Sequence, residues 1–398
     1  MKRLRVFLLA GASAVLLAGC GGGSSTVPFA GTPAAQRSLA SVPQVQASHL
    51  ATRACPETPG HPQCEVLIMN PRVAPNVAGW APSNLQAAYN LPSSSKGSGQ
   101  IVAIIDAYDN PNVASDLAAY RSHFGLPVAS FYKYNQTGQQ GNYPMGSTSW
   151  GVEIDLDVEM VSASCPNCTI YLVEANSSLI SDLEIAEAEA VTLGAHILSN
   201  SWICYGGPSC GTSQSYFDTP GVTYVAASGD IGYGTGTPSA FASVVSAGGT
   251  VLARRGSKYK EIVWTSTGGG CASGFAKPSW QHDPGCTSRT ANDVAAVASD
   301  VAEYDSYGHN GWMTIGGTSV ASPLIAGTYG LAGNASSQDA GKKFWTLTKK
   351  QLKKDLHAIS EGSDGSCGGS YLCTAGTGEY KTYSGPTGWG SPNGIGAF

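Results

Sequence analysis

The chain has 398 residues, enough for one large α/β domain or two smaller ones. Charged residues make up only 12% of it, against roughly 25% in typical soluble proteins, and the 51 glycines indicate a neutral, loop-rich surface typical of exported proteins. The formal net charge is -5 and no basic patch stands out, so we expect no nucleic acid as a partner.

The first 19 residues have the pattern of a bacterial lipoprotein signal peptide. Residues 1–5 are basic, and residues 6–17 form an apolar stretch that is too short to span a membrane. The sequence Leu17-Ala18-Gly19-Cys20 follows, which predicts that Cys20 becomes the lipidated first residue of the mature protein. We therefore expect an exported lipoprotein, attached to a membrane through Cys20. Because Gly21 stands where Asp is associated with inner-membrane retention, we expect it at the outer membrane or the cell surface.

Ten cysteines remain once Cys20 is set aside, and they lie in close sequential couples. We predict the disulfides Cys55–Cys64, Cys165–Cys168, Cys204–Cys210, Cys271–Cys286 and Cys367–Cys373. The alternative for Cys165-Pro166-Asn167-Cys168 is half a zinc site, but the chain has no second such pair and no matching pair of histidines. Small disulfide-closed loops suit an oxidising compartment.

Composition changes along the chain predict one folded domain after a short leader. Residues 20–75 are predicted to be a lipid-anchored tether or a short pro-region, and residues 76–398 the folded domain. Apolar runs at 101–105, 170–173, 197–198, 222–227 and 244–247 are typical of buried parallel strands. Helical patterns at 113–124 and 179–193 alternate with them. The sequence therefore predicts an α/β fold, a parallel sheet flanked by helices.

Polar residues follow several of these strands, at the edge where such sheets bind ligands. They are Asp106, the sequence Ser199-Asn200-Ser201-Trp202, and Ser228-Gly229-Asp230. For Asp106 we expect a turn or capping role. This pattern predicts the position of a cleft and does not by itself indicate the function of that cleft.

Residues 152–159 carry four acidic side chains, Glu153, Asp155, Asp157 and Glu159. Strict alternation favours a strand with a solvated acidic face, whereas Ile154, Val158 and Val161 have helical spacing. In a helix, Glu153 and Asp157 lie one turn apart on one face, where two carboxyl groups share a proton and one can act as a base. The residues alone leave both structures open, and without other information they favour a solvated acidic face over a catalytic pair.

The sequence Gly316-Gly317-Thr318-Ser319-Val320-Ala321-Ser322-Pro323 predicts a tight turn into a helix of small residues. A nucleophilic serine gains from that place, because N–H groups at a helix N-terminus stabilise an oxyanion. A serine nucleophile usually needs a histidine base. None of the seven histidines lies in a His-Gly-Thr sequence, and we expect structural roles for His196 and His309.

Several separated motifs, in order, resemble the sedolisins, the serine-carboxyl peptidases that include kumamolisin-like enzymes. They are Glu153-Ile154-Asp155-Leu156-Asp157, Ser228-Gly229-Asp230, Gly268-Gly269-Gly270, Lys277-Pro278-Ser279-Trp280-Gln281, the sequence around Ser319, and Pro386-Thr387-Gly388-Trp389-Gly390. The resemblance covers about residues 80–398. It implies a subtilisin-like fold, a helix at Glu153–Asp157 and peptidase activity at acid pH on polypeptide substrates.

The resemblance assigns a role to each matching position. Ser319 is the nucleophile, Glu153 the general base, and Asp157 the partner that orients Glu153 and shares its proton. Asp230 is the carboxyl group of the oxyanion hole, which must be protonated to donate a hydrogen bond. Asp155 lies off this helix face and is expected to be structural.

Two features of the chain depart from the family. Family members are usually made with a large folded pro-domain, and residues 21–75 are too short for one. The family also holds one calcium ion near its C-terminus with two Asp carboxylates. Ala358 and Ser384 stand at those positions, so we expect no cofactor, with Asp364 or Glu379 as possible compensating ligands.

From these observations we expect a monomeric, acid-active serine endopeptidase. The alternatives are a tripeptidyl peptidase and a surface lipoprotein of the same fold that binds peptides without cleaving them.

Overall fold

The computed structural model describes residues 51–56, 61–69, 77, 79–337, 339, 341–377 and 382–398. The predicted signal peptide, the lipidation site Cys20 and Glu379 lie outside these residues. Within them, no helix has both the length and the apolar character that crossing a membrane requires.

The helices and strands alternate over much of the described chain. The α-helices are α1 (Pro82–Ala88), α2 (Val113–Phe124), α3 (Thr148–Ser164), α4 (Ile180–Thr192), α5 (Thr318–Ala332), α6 (Lys342–Thr346) and α7 (Lys349–Asp355). The strands are β1 (Ala51–Arg53), β2 (Gln63–Cys64), β3 (Leu67–Met69), β4 (Ile101–Ala107), β5 (Ser130–Asn135), β6 (Thr169–Ala175), β7 (Ile197–Asn200), β8 (Trp202–Ile203), β9 (Thr223–Ala227), β10 (Val244–Arg255), β11 (Lys258–Val263), β12 (Gly270–Ala276), β13 (Ser288–Ala291), β14 (Val294–Val297), β15 (Val301–Asp305), β16 (Gly311–Gly316), β17 (Leu356–His357) and β18 (Ser391–Pro392). Short 3-10 helices span Gly207–Cys210, Gln214–Phe217 and Ala335–Ser337.

The central sheet has the strand order β11-β10-β9-β7-β4-β6-β5, and β14 pairs with part of β10. All of its pairings are parallel except that of β10 with β11. The five predicted apolar runs are β4, β6, β7, β9 and the start of β10, because each is buried on both faces of the sheet. The predicted α/β fold with a parallel sheet flanked by helices is confirmed.

The acidic segment is part of a helix, α3, and every residue from Trp150 to Ser164 is buried. Ser147 caps it, accepting a hydrogen bond from the backbone N–H of Trp150 at 3.4 Å. A helix buried all round shows no amphipathic stripe, which is why the spacing of Ile154, Val158 and Val161 left the choice between helix and strand open.

Helix α5 packs against α3 and against the central sheet. It begins directly after Gly317, whose φ of 121° is a conformation that favours glycine. The predicted turn and small-residue helix are therefore present, with Ser319 in the first turn. Small residues such as Ala326 and Gly327 let α5 approach its neighbours, and a Cβ on Gly327 would lie 2.0 Å from Ser164 Oγ on α3.

A second sheet brings the predicted leader next to α5. Its strand order is β1-β3-β16-β15, with all pairs antiparallel, and β16 leads directly into α5. Strands β1, β2 and β3 lie within residues 20–75, the predicted tether or short pro-region. The described parts of this segment, residues 51–56 and 61–69, pair with the domain through β3 with β16 and β2 with β8.

Ten cysteines form five disulfides in the structure. The pairs are Cys55–Cys64, Cys165–Cys168, Cys204–Cys210, Cys271–Cys286 and Cys367–Cys373. These are the five sequential couples predicted above, so Cys165 and Cys168 are not zinc ligands here.

Candidate active site

The carboxyl ends of the parallel strands and the two buried helices bring the predicted catalytic side chains together. Glu153 and Asp157 lie one turn apart on α3, Asp230 follows β9, and Ser319 begins α5. The side chains of Glu153, Asp157 and Ser319 are fully buried, and Asp230 is 6% exposed. Because charges interact strongly where water is excluded, each carboxyl group here affects the others.

Ser319 makes two contacts that matter for chemistry. Its hydroxyl donates to the backbone carbonyl of Ser201 (Oγ–O 3.3 Å). Its backbone N–H points to the carbonyl oxygen of Glu65 (N–O 3.3 Å). Among the described residues, none of its hydrogen bonds goes to a histidine. A serine whose N–H already binds a peptide carbonyl has half of an oxyanion hole in place.

Glu153 and Asp157 form the acidic pair predicted from the helical spacing. Burial, the charge of Asp157 and the charge of Asp106 all raise the pKa of Glu153 well above its usual range, while the nearby Ser319 hydroxyl opposes the rise. Neither Glu153 oxygen has a hydrogen bond of good geometry to a described residue. The ionisation of Asp157 therefore affects that of Glu153, although no hydrogen bond joins the two carboxyl groups among the described contacts.

Asp157 is held by a hydrogen bond and is influenced by a third carboxyl group. The Ser201 hydroxyl donates to its Oδ1 at 2.8 Å, and its Oδ2 has no partner among the described residues. Burial, then the charge of Asp106, raises the pKa of Asp157 well above its usual range. Ser201 thus contacts both Asp157 and Ser319, through its hydroxyl and its carbonyl.

Asp106 belongs to this group of carboxyls and not to a turn or cap. It lies inside β4, is fully buried, and has no hydrogen bond to a described residue. Burial raises its pKa to about 8. The expected capping role is wrong, because the side chain faces the α3 acids. The sequence signal for membership of this group was its position at the end of a predicted strand.

Asp230 binds Thr318, the residue before Ser319, at the start of α5. Its Oδ1 accepts hydrogen bonds from the backbone N–H and from the hydroxyl of Thr318, both at 2.8 Å. Its Oδ2 is buried without a partner among the described residues. Burial raises the pKa of Asp230 to about 7, although the Thr318 donors and Arg53 lower it. A carboxyl group that is protonated on Oδ2 can donate from that atom.

Gly317 leaves room for a carbonyl oxygen beside this carboxyl group. A Cβ placed on Gly317 would lie 2.1 Å from the carbonyl oxygen of Glu65 and 2.8 Å from Asp230 Oδ2. These two oxygens therefore border the same small space, next to the Ser319 N–H. A side chain at residue 317 would close it.

Glu65 is the site residue that the sequence reasoning did not find. Its side chain is fully buried, and its Oε2 accepts a hydrogen bond from the Tyr205 hydroxyl at 2.8 Å. Burial, then the charge of Asp230, raises the pKa of Glu65 well above its usual range. The apolar run at residues 66–69, after Cys64, was a signal for a strand in this part of the predicted leader.

The remaining predicted residues lie away from this chemistry. His196 contacts the carbonyl of Gly221 (Nδ1–O 3.0 Å), and His309 contacts Asp305 (Nδ1–Oδ2 2.6 Å), in keeping with structural roles. Asp155 accepts a hydrogen bond from Asn110 at 2.7 Å. The Trp202 side chain is fully buried, and its ring packs against Phe217.

The residues at the family's calcium positions do not fit a calcium site. Ala358 has no side-chain oxygen, and the Ser384 hydroxyl is paired with that of Thr387 at 2.8 Å. The nearby Asp364 carboxyl is buried without a partner among the described residues, and burial raises its pKa to about 7. One carboxyl group that resists ionisation is a weak substitute for two carboxylates, because Ca²⁺ prefers anionic oxygens.

Known proteins resemble the chain in sequence, although no protein-family model matches it. Kumamolisin from Bacillus sp. (strain MN-32) is 29% identical over 363 residues, which cover 79% of this chain and 62% of kumamolisin. Sedolisin from Pseudomonas sp. (strain 101) is 25% identical over 356 residues, which cover 79% of this chain and 60% of sedolisin. The chain thus spans about three fifths of the length of these relatives.

The solved structures agree with the sequence comparison. Pseudomonas sedolisin, a serine-carboxyl proteinase solved with two molecules of pseudo-iodotyrostatin, has a TM-score of 0.68 and 25% identity, over 80% of this chain and 96% of that one. Sphericase, with a TM-score of 0.50 and 17% identity, shares the fold. In sequence and in structure, the chain is similar to the sedolisins, and the predicted subtilisin-like fold is confirmed.

Proposed function

We propose that the protein is an acid-active serine endopeptidase that cleaves extended polypeptides through Ser319. One observation carries this proposal. The backbone N–H of Ser319 binds a peptide carbonyl oxygen, and the carboxyl groups of Glu153 and Asp230 lie beside Ser319 and its neighbour Thr318. Nucleophilic catalysis needs both a proton acceptor and an oxyanion donor, and carboxyl groups in two protonation states can serve as each.

In this proposal Glu153 takes the proton of the Ser319 hydroxyl as the oxygen attacks the carbonyl carbon of a substrate. Glu153, Asp157 and Asp106 resist simultaneous ionisation, because their charges are close and buried. At least one of the three must be ionised to act as the base, so this proposal also implies that activity falls once the pH is low enough to protonate the whole group. Ser201 keeps Asp157 in place through its hydroxyl, so that Asp157 can share a proton with Glu153.

Asp230 supplies the second half of the oxyanion hole in this proposal. Thr318 occupies one of its oxygens twice, which leaves Oδ2 to carry the proton and to donate to the developing negative charge. Since its pKa is about 7, Asp230 is protonated below that value and ionised above it. Activity should therefore fall as the pH rises through about 7.

A peptide-binding lipoprotein without activity is the second candidate, because a segment of the chain is bound beside Ser319. The other alternative, a tripeptidyl peptidase, differs from an endopeptidase because it releases tripeptides rather than internal peptides. The five disulfides support the proposal of an exported protein, and lipid attachment at Cys20 remains part of it.

The test is hydrolysis of a denatured protein at pH 4, after preincubation of the full chain at that pH. We expect Ser319→Ala to lower the rate by at least about 10³-fold, because the nucleophile is lost. Ser322→Ala is the matched control, one turn further along α5, where the hydroxyl contacts Ser199 at 3.0 Å. Equal rates for Ser319→Ala and wild type would refute the endopeptidase. Mass spectrometry of the products separates internal peptides from tripeptides.

A further inference from the structure

We propose that the pocket beside Ser319 selects glutamic acid in its uncharged form, or glutamine, as the substrate residue immediately before the cleaved bond, and that the Tyr205 hydroxyl is the group that recognises it. This inference rests on the proposed function and adds a substrate class to it. The surroundings of the Glu65 side chain carry it.

The main chain of Glu65 has the contacts that a substrate residue before the cleaved bond needs. Its carbonyl oxygen accepts a hydrogen bond from the Ser319 N–H at 3.3 Å, and its own N–H donates to the carbonyl of Ser201 at 3.1 Å. The carbonyl oxygen also borders the space beside Asp230 Oδ2, where an oxyanion donor is required. Whether or not this part of the chain is cut, Glu65 therefore marks the pocket for the side chain of that substrate residue.

The Glu65 side chain is fully buried in this pocket. Its Oε2 accepts a hydrogen bond from the Tyr205 hydroxyl at 2.8 Å, and the same hydroxyl accepts one from the backbone N–H of Asp230 at 2.8 Å. Because a phenol hydroxyl carries a single hydrogen, and the Asp230 N–H already uses its oxygen as an acceptor, Tyr205 offers a donor to the pocket. A substrate side chain must therefore bring an acceptor.

Other classes of side chain do not meet this requirement. Leucine would leave the Tyr205 hydrogen buried without a partner, and lysine has donors and a charge but no acceptor. Aspartic acid and asparagine are one methylene shorter, so their oxygens stop short of the position that Glu65 Oε2 occupies. A site built to hydrogen-bond a substrate group rejects analogues that lack this group more strongly than an apolar pocket rejects a change of size.

The pocket favours the uncharged form of the acid. Burial, then the charge of Asp230, raises the pKa of Glu65 well above its usual range. Arg53, 3.9 Å from Oε2, opposes this rise, but it lies in β1 of the same leader as Glu65, so a substrate in this place would not bring it. Glu65 Oε1 has no hydrogen-bond partner among the described residues, so no second donor stabilises a carboxylate. Glutamine has the same shape and no charge at any pH.

Tyr205 is held in place by the fold and not by the bound side chain alone. It follows β8 in a loop closed by the disulfide Cys204–Cys210, and Cys204 pairs with Thr237 through two backbone hydrogen bonds of 2.9 and 3.1 Å. Gly229 makes room for the tyrosine, since a Cβ there would lie 2.6 Å from the Tyr205 hydroxyl oxygen. A recognition group that is fixed in advance loses little freedom on binding, so its hydrogen bond contributes more to selectivity.

The experiment uses internally quenched peptides that differ only in the residue before the cleaved bond, which is Glu, Gln, Asp, Leu or Lys. The full chain is preincubated and assayed at pH 4, and mass spectrometry identifies the bond that is cut. We expect kcat/KM for the Glu and Gln peptides to exceed that for each other peptide by at least about tenfold. From pH 5 to pH 6 the Glu peptide should fall about tenfold relative to the Gln peptide, because glutamic acid in a free peptide ionises with a pKa of about 4.3.

Tyr205→Phe separates recognition from support, because it also removes the acceptor of the Asp230 N–H. We expect it to lower kcat/KM about tenfold for the Glu and Gln peptides and less than about threefold for the Leu peptide, whereas a purely structural role would lower all of them alike. Tyr216→Phe is the matched control. It removes the same hydroxyl from a tyrosine that is 36% exposed in the 3-10 helix Gln214–Phe217, and it should leave the preference unchanged.

Wild type that cleaves the Leu or Lys peptide as fast as the Glu and Gln peptides would overturn this inference and leave the proposed function standing. So would an equal loss on every peptide in Tyr205→Phe. The ranking by wild type needs no variant, so it decides the matter if Tyr205→Phe does not fold. Wild type that cleaves neither the peptides nor a denatured protein would contradict both proposals.

Discussion

Thr318 binds one oxygen of Asp230 twice, through its backbone N–H and its hydroxyl at 2.8 Å each, and leaves Asp230 Oδ2 without a partner among the described residues. The two oxygens of this carboxyl group are therefore not equivalent. One is fixed as an acceptor, and the other borders the space that holds a peptide carbonyl. An amide side chain would reproduce this arrangement, with its oxygen on Thr318 and its NH₂ in the space.

The first prediction follows from that asymmetry. In acid, Asp230→Asn should hydrolyse the substrate at a rate within about tenfold of the wild-type rate. Its rate should not decline near pH 7, because the amide donor does not ionise. Asp230→Ala should fall by about 10²–10³-fold, the usual loss of an oxyanion-hole donor. The check is the pH dependence of hydrolysis of a denatured protein by all three. A decline near pH 7 that persists in Asp230→Asn would assign it to another group.

The second prediction concerns the base. Glu153→Gln should lower the hydrolysis rate at pH 4 by about 10²–10⁴-fold, because the amide cannot accept the Ser319 proton. Asp155→Asn is the control on the same helix, since Asp155 faces Asn110 rather than Ser319. An equal loss in both variants would mean that the acidic segment supports the helix and not the chemistry.

The third prediction is that the fold loses stability as the pH rises. The buried carboxyl groups have folded-state pKa values above their unfolded values, such as about 8 for Asp106 against 3.8. Between those values the folded state holds a proton that the unfolded state has lost, so the free energy of unfolding falls with pH, by at most about 1.4 kcal/mol per pH unit for each group. Below about pH 4, Asp106 is protonated in both the folded and the unfolded state, so it no longer makes the free energy of unfolding depend on pH.

Thermal unfolding of Ser319→Ala measures this without self-digestion. Its midpoint should fall steadily from pH 4 to pH 8. Asp106→Asn should show a smaller fall, because the amide has no proton to lose. A midpoint that rises over the same range would contradict the assignment of Asp106 as a buried group that is protonated in acid.

The fourth prediction concerns calcium. A chelator should leave the thermal midpoint of Ser319→Ala unchanged, because Ala358 and Ser384 stand where the resemblance to the sedolisins places two carboxylate ligands. Asp364→Asn should raise the midpoint at pH 8 and not at pH 4, since it removes a buried group that ionises near its pKa of about 7. A large drop with chelator, or a loss of stability in Asp364→Asn at pH 8, would instead identify Asp364 as a metal ligand.

The strands of the central sheet could be predicted because they are buried on both faces and read as unbroken apolar runs. Helix α3 could not be separated from a strand by pattern, since it is buried all round. Asp106 was assigned a local role because its burial, and the α3 acids whose pKa values its charge raises, depend on parts of the chain far away in sequence. The place of Glu65 depends on two antiparallel pairings with β8 and β16, and nothing in residues 51–69 alone specifies those partners.

The central claim is that Ser319 cleaves peptide bonds with a carboxyl group as its base and another as its oxyanion donor, without a histidine. Its most direct test is the rate at which the wild-type chain, preincubated at pH 4, hydrolyses a denatured protein between pH 3 and pH 8. The account predicts a maximum in acid and a decline as the pH rises through about 7, where Asp230 ionises. A maximum at or above neutral pH would contradict it, because that profile is typical of a serine with a histidine base.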